Sequence, residues 1–388
     1  MVLGYEEILS CLTTKPFSYE KAFKVSDSLT LETLRELDSW RAAAHHNQGP
    51  SSSPSATLSM IDNYLPLLEN LVLKTEANEK QAQEKKLAFE WSSLDSSRRC
   101  FTLTSLQQER AMTLLLKAAT MQHQAMQAVG ADAGWTASTD AASAVQAIEM
   151  LKRSAGVFAF LASEALPALL ETLTPERPCE LAPAMAEAME CIALAQAQGV
   201  AAARAAERQG SDNLLAALHK GAWSLYRKAS KTLKENVQHL NCVPPRLTIY
   251  LALASALHQA TTCRQPPAGD GIYLALASAL HQATTCRYLA QEAHEQKECG
   301  LALAWLSQAK QYVGSAQDAA SQLPAWSRAM QDVLSEIENL SIKYDKENNV
   351  VYFQLIPKEL PMLPEERVIV SPIKYEPVCL HQNLFAEF

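Results

Sequence analysis

Residues 192–218, IALAQAQGVAAARAAERQGSDNLLAAL, read as two helices and the turn between them. The first helix is alanine-rich, and the second carries leucines four residues apart. Gly210 stands where a left-handed residue is expected to close the first helix, and Ser211 or Asp212 where a cap opens the second. Side chains at i and i+4 share a helix face, so Leu214 and Leu218 form one ridge that faces either the core or a partner. Leu215, Ala222, Tyr226 and Ala229 make a neighbouring stripe beside that of Leu214, Leu218, Gly221 and Leu225. One stripe serves the core of a stacked helix, and the extra width is left for a partner or for a third helix.

The same three- and four-residue spacing runs through Leu106 to Val129, Ala141 to Leu173, Ala182 to Arg208 and Asp212 to Leu233. Pro175 and Pro178 break one pair of windows, Pro244 and Pro245 another, and Asn47 to Pro54 reads as a loop. The β-branched and aromatic run VVYFQL, Val350 to Leu355, reads as a strand. After it, Pro357, Pro361, Pro364, Pro372 and Pro377 predict an extended strap over the helices. Antiparallel helix pairs in series predict an all-α, curved solenoid with a tetratricopeptide-like centre, a minor β-strand and a C-terminal strap. The domain is expected to span residues 1–377, with a tail at 378–388.

The 388 residues, 48% apolar and 20% charged, are ordinary for a globular chain with a large core. A net charge of −8 gives no reason to expect nucleic acid. The start, MVLGYEEILSCL, has Glu6 and Glu7 where a secretion signal needs a basic start and an apolar run, which predicts a cytoplasmic protein. Val2 and Phe385 stand where lipid attachment would need Gly and Cys. Leu247 to Cys263 is too polar to span a bilayer. The nine cysteines show no CxxC pair and are expected as reduced thiols; AHEQKEC, with His294 and Cys299, lacks the second half of a metal site and reads as a solvated face. No cofactor or metal is expected. No GxSxG, P-loop, GxGxxG or HExxH occurs, and His123, His219, His258 and His281 stand singly, so a catalytic site is not expected either.

IYLALASALHQATTCR occurs at Ile249 to Arg264 and again, unchanged, at Ile272 to Arg287. Repeats that serve a stack drift at exposed positions, so identity throughout points to a recent duplication or an exon-joining artefact, with residues 249–271 as the insertion. Its linker, QPPAGDG, cannot continue a helix.

LAQAQ at Leu194 to Gln198, RSAGVF at Arg153 to Phe158 and VVYFQLIP at Val350 to Pro357 resemble the Bro-one (BRO) domain family of ALIX-like endosomal sorting proteins. The resemblance covers about Leu87 to Pro377. It implies a boomerang-like helical body acting as a non-catalytic adaptor in the multivesicular body pathway, cytoplasmic and peripheral to endosomes. It also implies that Leu214 and Leu218 dock the C-terminal helix of an ESCRT-III subunit. Lys220 and Arg208 are expected as steering charges, since Arg204 to Lys231 holds six basic residues against two acidic ones. Ala201 stands where better-described members carry phenylalanine, which predicts weaker capture or a different partner. Without a dense lysine block, membrane association is expected to be weak or indirect. The rivals are a tetratricopeptide-type peptide scaffold, for which no carboxylate clamp is found, and an enzyme of unknown class.

Overall fold

The computed structural model describes residues 12, 14–23, 25–46, 53–77, 87–93, 96–129, 141–170, 173, 177–236, 238, 240, 272–321, 324–362, 365–378, 380 and 384–385. A short helix α1 (Tyr19–Ala22) precedes α2 (Ser28–His46) and α3 (Pro54–Ala77). Two strands come next, β1 (Phe89–Ser93) and β2 (Ser96–Leu103), then α4 (Leu106–Ala128), α5 (Ala141–Phe160), α6 (Pro183–Glu207) and α7 (Asp212–Glu235). The last three are α8 (Ile272–Glu295), α9 (Cys299–Ser321) and α10 (Pro324–Glu347). From α2 onward each described helix packs on the next, which is the serial stacking of a solenoid.

α6 lies at the centre of this stack because of its composition. Fifteen of its 25 residues are buried, including every one from Cys191 to Val200, so no side of that stretch meets water. Alanines there let α5 and α7 approach it from both sides. The two glutamines of LAQAQ, two residues apart, project about 200° from one another around the helix. Gln196 accepts a hydrogen bond from Gln122 of α4 at 2.5 Å, while Gln198 reaches α7.

α6 closes with a Schellman cap, Gly210 N–H donating to Ala205 O (2.9 Å) and Gln209 N–H to Ala206 O (3.0 Å). The left-handed residue is Gln209, φ 56°, and not Gly210 as expected, because the helix ends one residue early. Ser211 then caps α7 by accepting from Leu214 N–H.

The expected strand at Val350 to Leu355 is corrected. α10 ends in a π-turn, Asn348–Tyr352, and Phe353 turns left-handed at φ 53°. Asn348 closes this corner, donating Nδ2–H to Gln354 O and accepting Gln354 N–H at Oδ1. Gln354 in turn donates to Lys297 O and accepts from Gly300 N–H. These bonds replace the ladder partner that a strand would need. The polar side chains point in, and Phe353 and Leu355 are left 74% and 94% exposed.

The observed sheet lies elsewhere, an antiparallel hairpin with Phe89 opposite Leu103 and Trp91 opposite Phe101. Trp91 anchors it to a buried polar hub. Its Nε1–H donates to Glu109 Oε2 (2.6 Å), and Glu109 Oε1 accepts from Arg41 Nε (2.8 Å) and Tyr64 Oη (3.0 Å). Burial first, and then the Glu109 charge, push the Tyr19 and Tyr64 phenols well above their ordinary value.

α8 is the second copy of the repeat, continued to Glu295, with Ala279, Leu280, Ala283 and Cys286 buried. The first copy and its linker lie outside the described residues, as do Pro175, Pro244 and Pro245.

Candidate functional site

The strap returns across α7, α6 and α5. Arg367 N–H donates to Ala217 O (3.0 Å), and Ile373 N–H donates to Lys152 O (2.9 Å). Between them Gln198 pins three groups: its Nε2 donates to Arg367 O (2.7 Å) and Leu218 O (3.1 Å), and its Oε1 accepts Ile369 N–H (3.1 Å). Val370 is buried in a cluster with Leu151, Leu194, Ala197 and Val200. Close approach is possible because two helical residues lack a Cβ. A Cβ on Gly221 would stand 2.5 Å from Arg367 O, and one on Gly156 would overlap Ile373 O. This gives RSAGVF its physical sense: Ser154 bonds Ala118 O, Gly156 admits the strap, and Val157 and Phe158 enter the main core.

On α7 the two apolar stripes differ in burial. Leu215, Ala222, Tyr226 and Ala229 are core, with Leu215 packed beside Tyr288 of α8. In the other stripe Leu214 is half-buried, whereas Leu218 is only 2% exposed. The expected continuous ridge is therefore corrected: the strap lies along its Gly221 end, and of the Leu214 and Leu218 pair only Leu214 is presented to solvent, with half-buried Leu225 beyond Gly221. Ala201 is half-buried on α6. Gln198 stands against Gly221, so Ala201 lies one turn nearer the α6–α7 connection, as Leu218 does on α7.

The charges are less concentrated than the sequence implies. Arg204 pairs with Glu207 (2.7 Å), Lys228 with Glu187 and Lys231 with Glu235. Arg208 is exposed at the connection, close in sequence to Leu214. Lys220, two positions after Leu218, projects from roughly the opposite side of α7. Sequence reasoning missed Gln198 and Arg367, since nothing in local spacing links residues so far apart.

His294 and Cys299 do not form a solvated face. His294 Nε2 meets Glu347 at 2.6 Å and its ring stacks on Tyr344 at 3.9 Å, while Cys299 Sγ donates to Tyr344 O. His219 stacks on Tyr288, and His123 contacts Gln127. His258 and the His281 side chain lie outside the described residues. Among the described residues, Cys100, Cys191, Cys286 and Cys299 are free thiols, and burial pushes Cys191 up to about 11 and Cys286 up to about 12. No described helix is long and apolar enough to cross a membrane.

A family model for the BRO1-like domain matches residues 19–387. The BRO1 domain-containing protein BROX of mouse is 27% identical over 240 residues, 60% of this chain and 53% of that protein. Human BROX is 26% identical over 233 residues, 58% of this chain and 51% of that protein. The aligned part thus spans about half the length of these curated relatives. Among solved structures, the ALIX BRO1 domain in a complex with CHMP4C matches with TM-score 0.72 at 18% identity, covering 97% of this chain and 98% of that one. A Bro1 domain described as the basis for endosomal targeting matches with TM-score 0.65 at 14% identity, covering 94% of this chain and 91% of that one.

Proposed function

The chain belongs to the BRO1-like domain family, and on that premise we propose that it is a non-catalytic adaptor that captures the amphipathic C-terminal helix of an ESCRT-III subunit. The observation that carries this reading is Leu214, a half-buried leucine near the α6–α7 connection, with half-buried Ala201 about one turn further along the α6–α7 pair and Arg208 exposed at the connection. The surrounding fold is that of the ALIX BRO1 domain solved with CHMP4C. A helix laid on this strip buries its apolar face against Leu214, in the manner of helix-in-groove recognition. Arg208 favours a helix with acidic flanks and acts mainly on the association rate; Lys220, on the far side of α7, adds only to the general field. The adaptor would work on the cytoplasmic side of endosomes, peripheral to the membrane and brought there by its partner.

The test is a fluorescence-polarisation titration of this chain with a labelled peptide of the CHMP4C C-terminal helix. Fully burying a leucine contributes about 1.5–3 kcal/mol, and Leu214 is already half-buried, so Leu214→Asp is expected to weaken binding about tenfold or more. Its melting temperature should hold, because the side chain is not core. Leu218→Asp, by contrast, forces a carboxylate into a closed site and is expected to lower the melting temperature sharply. Wild-type protein that fails to bind at submillimolar concentration would overturn the reading.

A further inference from the structure

Leu218 occupies the ridge position that the proposed capture would use, yet it is closed off, and the strap crosses α7 at this turn, bonded to Ala217 O and standing against Gly221. Four hydrogen bonds gather there within one turn of α7: Arg367 N–H to Ala217 O, Gln198 to Leu218 O, Gln198 to Arg367 O, and Ile369 N–H to Gln198. Three of the four hold the strap, and all involve main-chain groups, so the latch is independent of the strap's exposed side chains. The strap on either side of Val370 is otherwise largely exposed, including Val368 and Ile369. Only Val370 among residues 365–371 is buried, so opening this stretch frees three strap bonds and withdraws one valine from its cluster, besides uncovering the α7 face beneath. That is a small unit of local unfolding compared with the helical stack.

We propose that strap residues 365–370 are a displaceable lid over the Leu218 end of the α7 ridge, and that opening it extends the docking strip from Leu214 to Leu218. This rests on the proposed capture of a partner helix, which would meet Leu214 first and then compete with the strap. A site open in only a fraction of molecules binds with an apparent affinity reduced by that fraction. The strap therefore sets the affinity, and anything that loosens it strengthens capture without adding a contact.

Gly221→Ala is the direct test. Alanine favours a helix interior over glycine, while its Cβ would stand against Arg367 O, so the change expels the strap and leaves α7 intact. Should that variant fail to fold, Arg367→Pro replaces it, removing the N–H given to Ala217 and fixing φ at a strap residue outside the helical stack. Two readouts are taken. In a Leu218→Cys background, maleimide labelling followed by peptide mapping, with exposed Cys100 as the internal reference, is expected to be slow with the strap latched and fast once it is loosened. Without the cysteine change, affinity for the CHMP4C C-terminal peptide is expected to rise about three- to tenfold, as the open fraction grows toward one. Labelling of Leu218→Cys as fast as Cys100 in the latched protein overturns the lid. So does a loosened strap that leaves peptide affinity unchanged or lowered. If no variant binds the peptide, the proposed function fails, and protection that is lost on loosening still establishes the lid.

Discussion

Glu109 accepts from Arg41, Tyr64 and Trp91, and neither it nor Arg41 is open to water. Replacing one member of such a pair leaves the other charged and unsatisfied, which costs about 3–5 kcal/mol, whereas replacing both by apolar groups is far milder. Glu109→Leu is thus expected to lower stability by about that amount, and adding Arg41→Met to restore a good part of it. Restoration should be incomplete, because Arg41 also satisfies Lys15 O and Thr14 Oγ1. Urea unfolding of the two variants checks this, and a double variant no better than the single one would contradict it. The hub was invisible in the sequence for a physical reason: Arg41 and Glu109 are 68 positions apart, and no helical or strand periodicity relates them. Leu214 and Leu218 were legible as a ridge, because i and i+4 is a local rule. Their unequal burial was not, since it depends on a strap that arrives from residue 367.

Between elements, the clearest tie outside the apolar core is where α8 and α9 meet α10. His294 holds Glu347 there, and the hydrogen bond from His294, together with its charge, keeps the Glu347 carboxyl below the ordinary value of 4.5. A carboxyl lowered on folding contributes stability that is fully present above the ordinary value and is lost as pH falls through the folded one. Glu347→Gln should therefore melt below wild type at pH 7, with the gap closing on acidification below about 4.5 as Glu347 becomes protonated. Melting curves from pH 7 to 3 test this, and a gap that widens on acidification would refute it. Lys297, φ 63°, closes α8 with the same cap that Gln209 gives α6, Glu298 N–H reaching Ala293 O. Helices were legible as elements because each repeats its period many times; ends were less so, as the cap at Gln209 rather than Gly210 illustrates. The misplaced strand has a similar cause. VVYFQL has strand composition, but a strand needs a neighbour, and Asn348 and Gln354 supplied the backbone partners instead.

Across the whole molecule, the serial stack shows what the second copy of the repeat does. The 24-residue helix α8 packs on both α7 and α9, and it runs through the second copy without interruption into YLAQEAHE. The first copy offers the same residues at Ile249 to Arg264 but meets Pro266 and Pro267 directly afterwards, so it cannot supply a helix of that length. The two copies are thus set apart in sequence by the residues C-terminal to each. Removing residues 249–271 joins Thr248 to Ile272 and leaves the stacked copy whole. Each solenoid helix depends mainly on its neighbours, and shortening a connection changes closure entropy by roughly 1 kcal/mol or less. The deletion is expected to match the full chain in melting temperature and in affinity for the CHMP4C peptide. Loss of an integral helix would instead strip apolar contacts worth several kcal/mol, about 2–5 for each large side chain. An insoluble or unfolded deletion product would therefore show that the first copy is packed into the body, and that the stack holds one more helix than its relatives share.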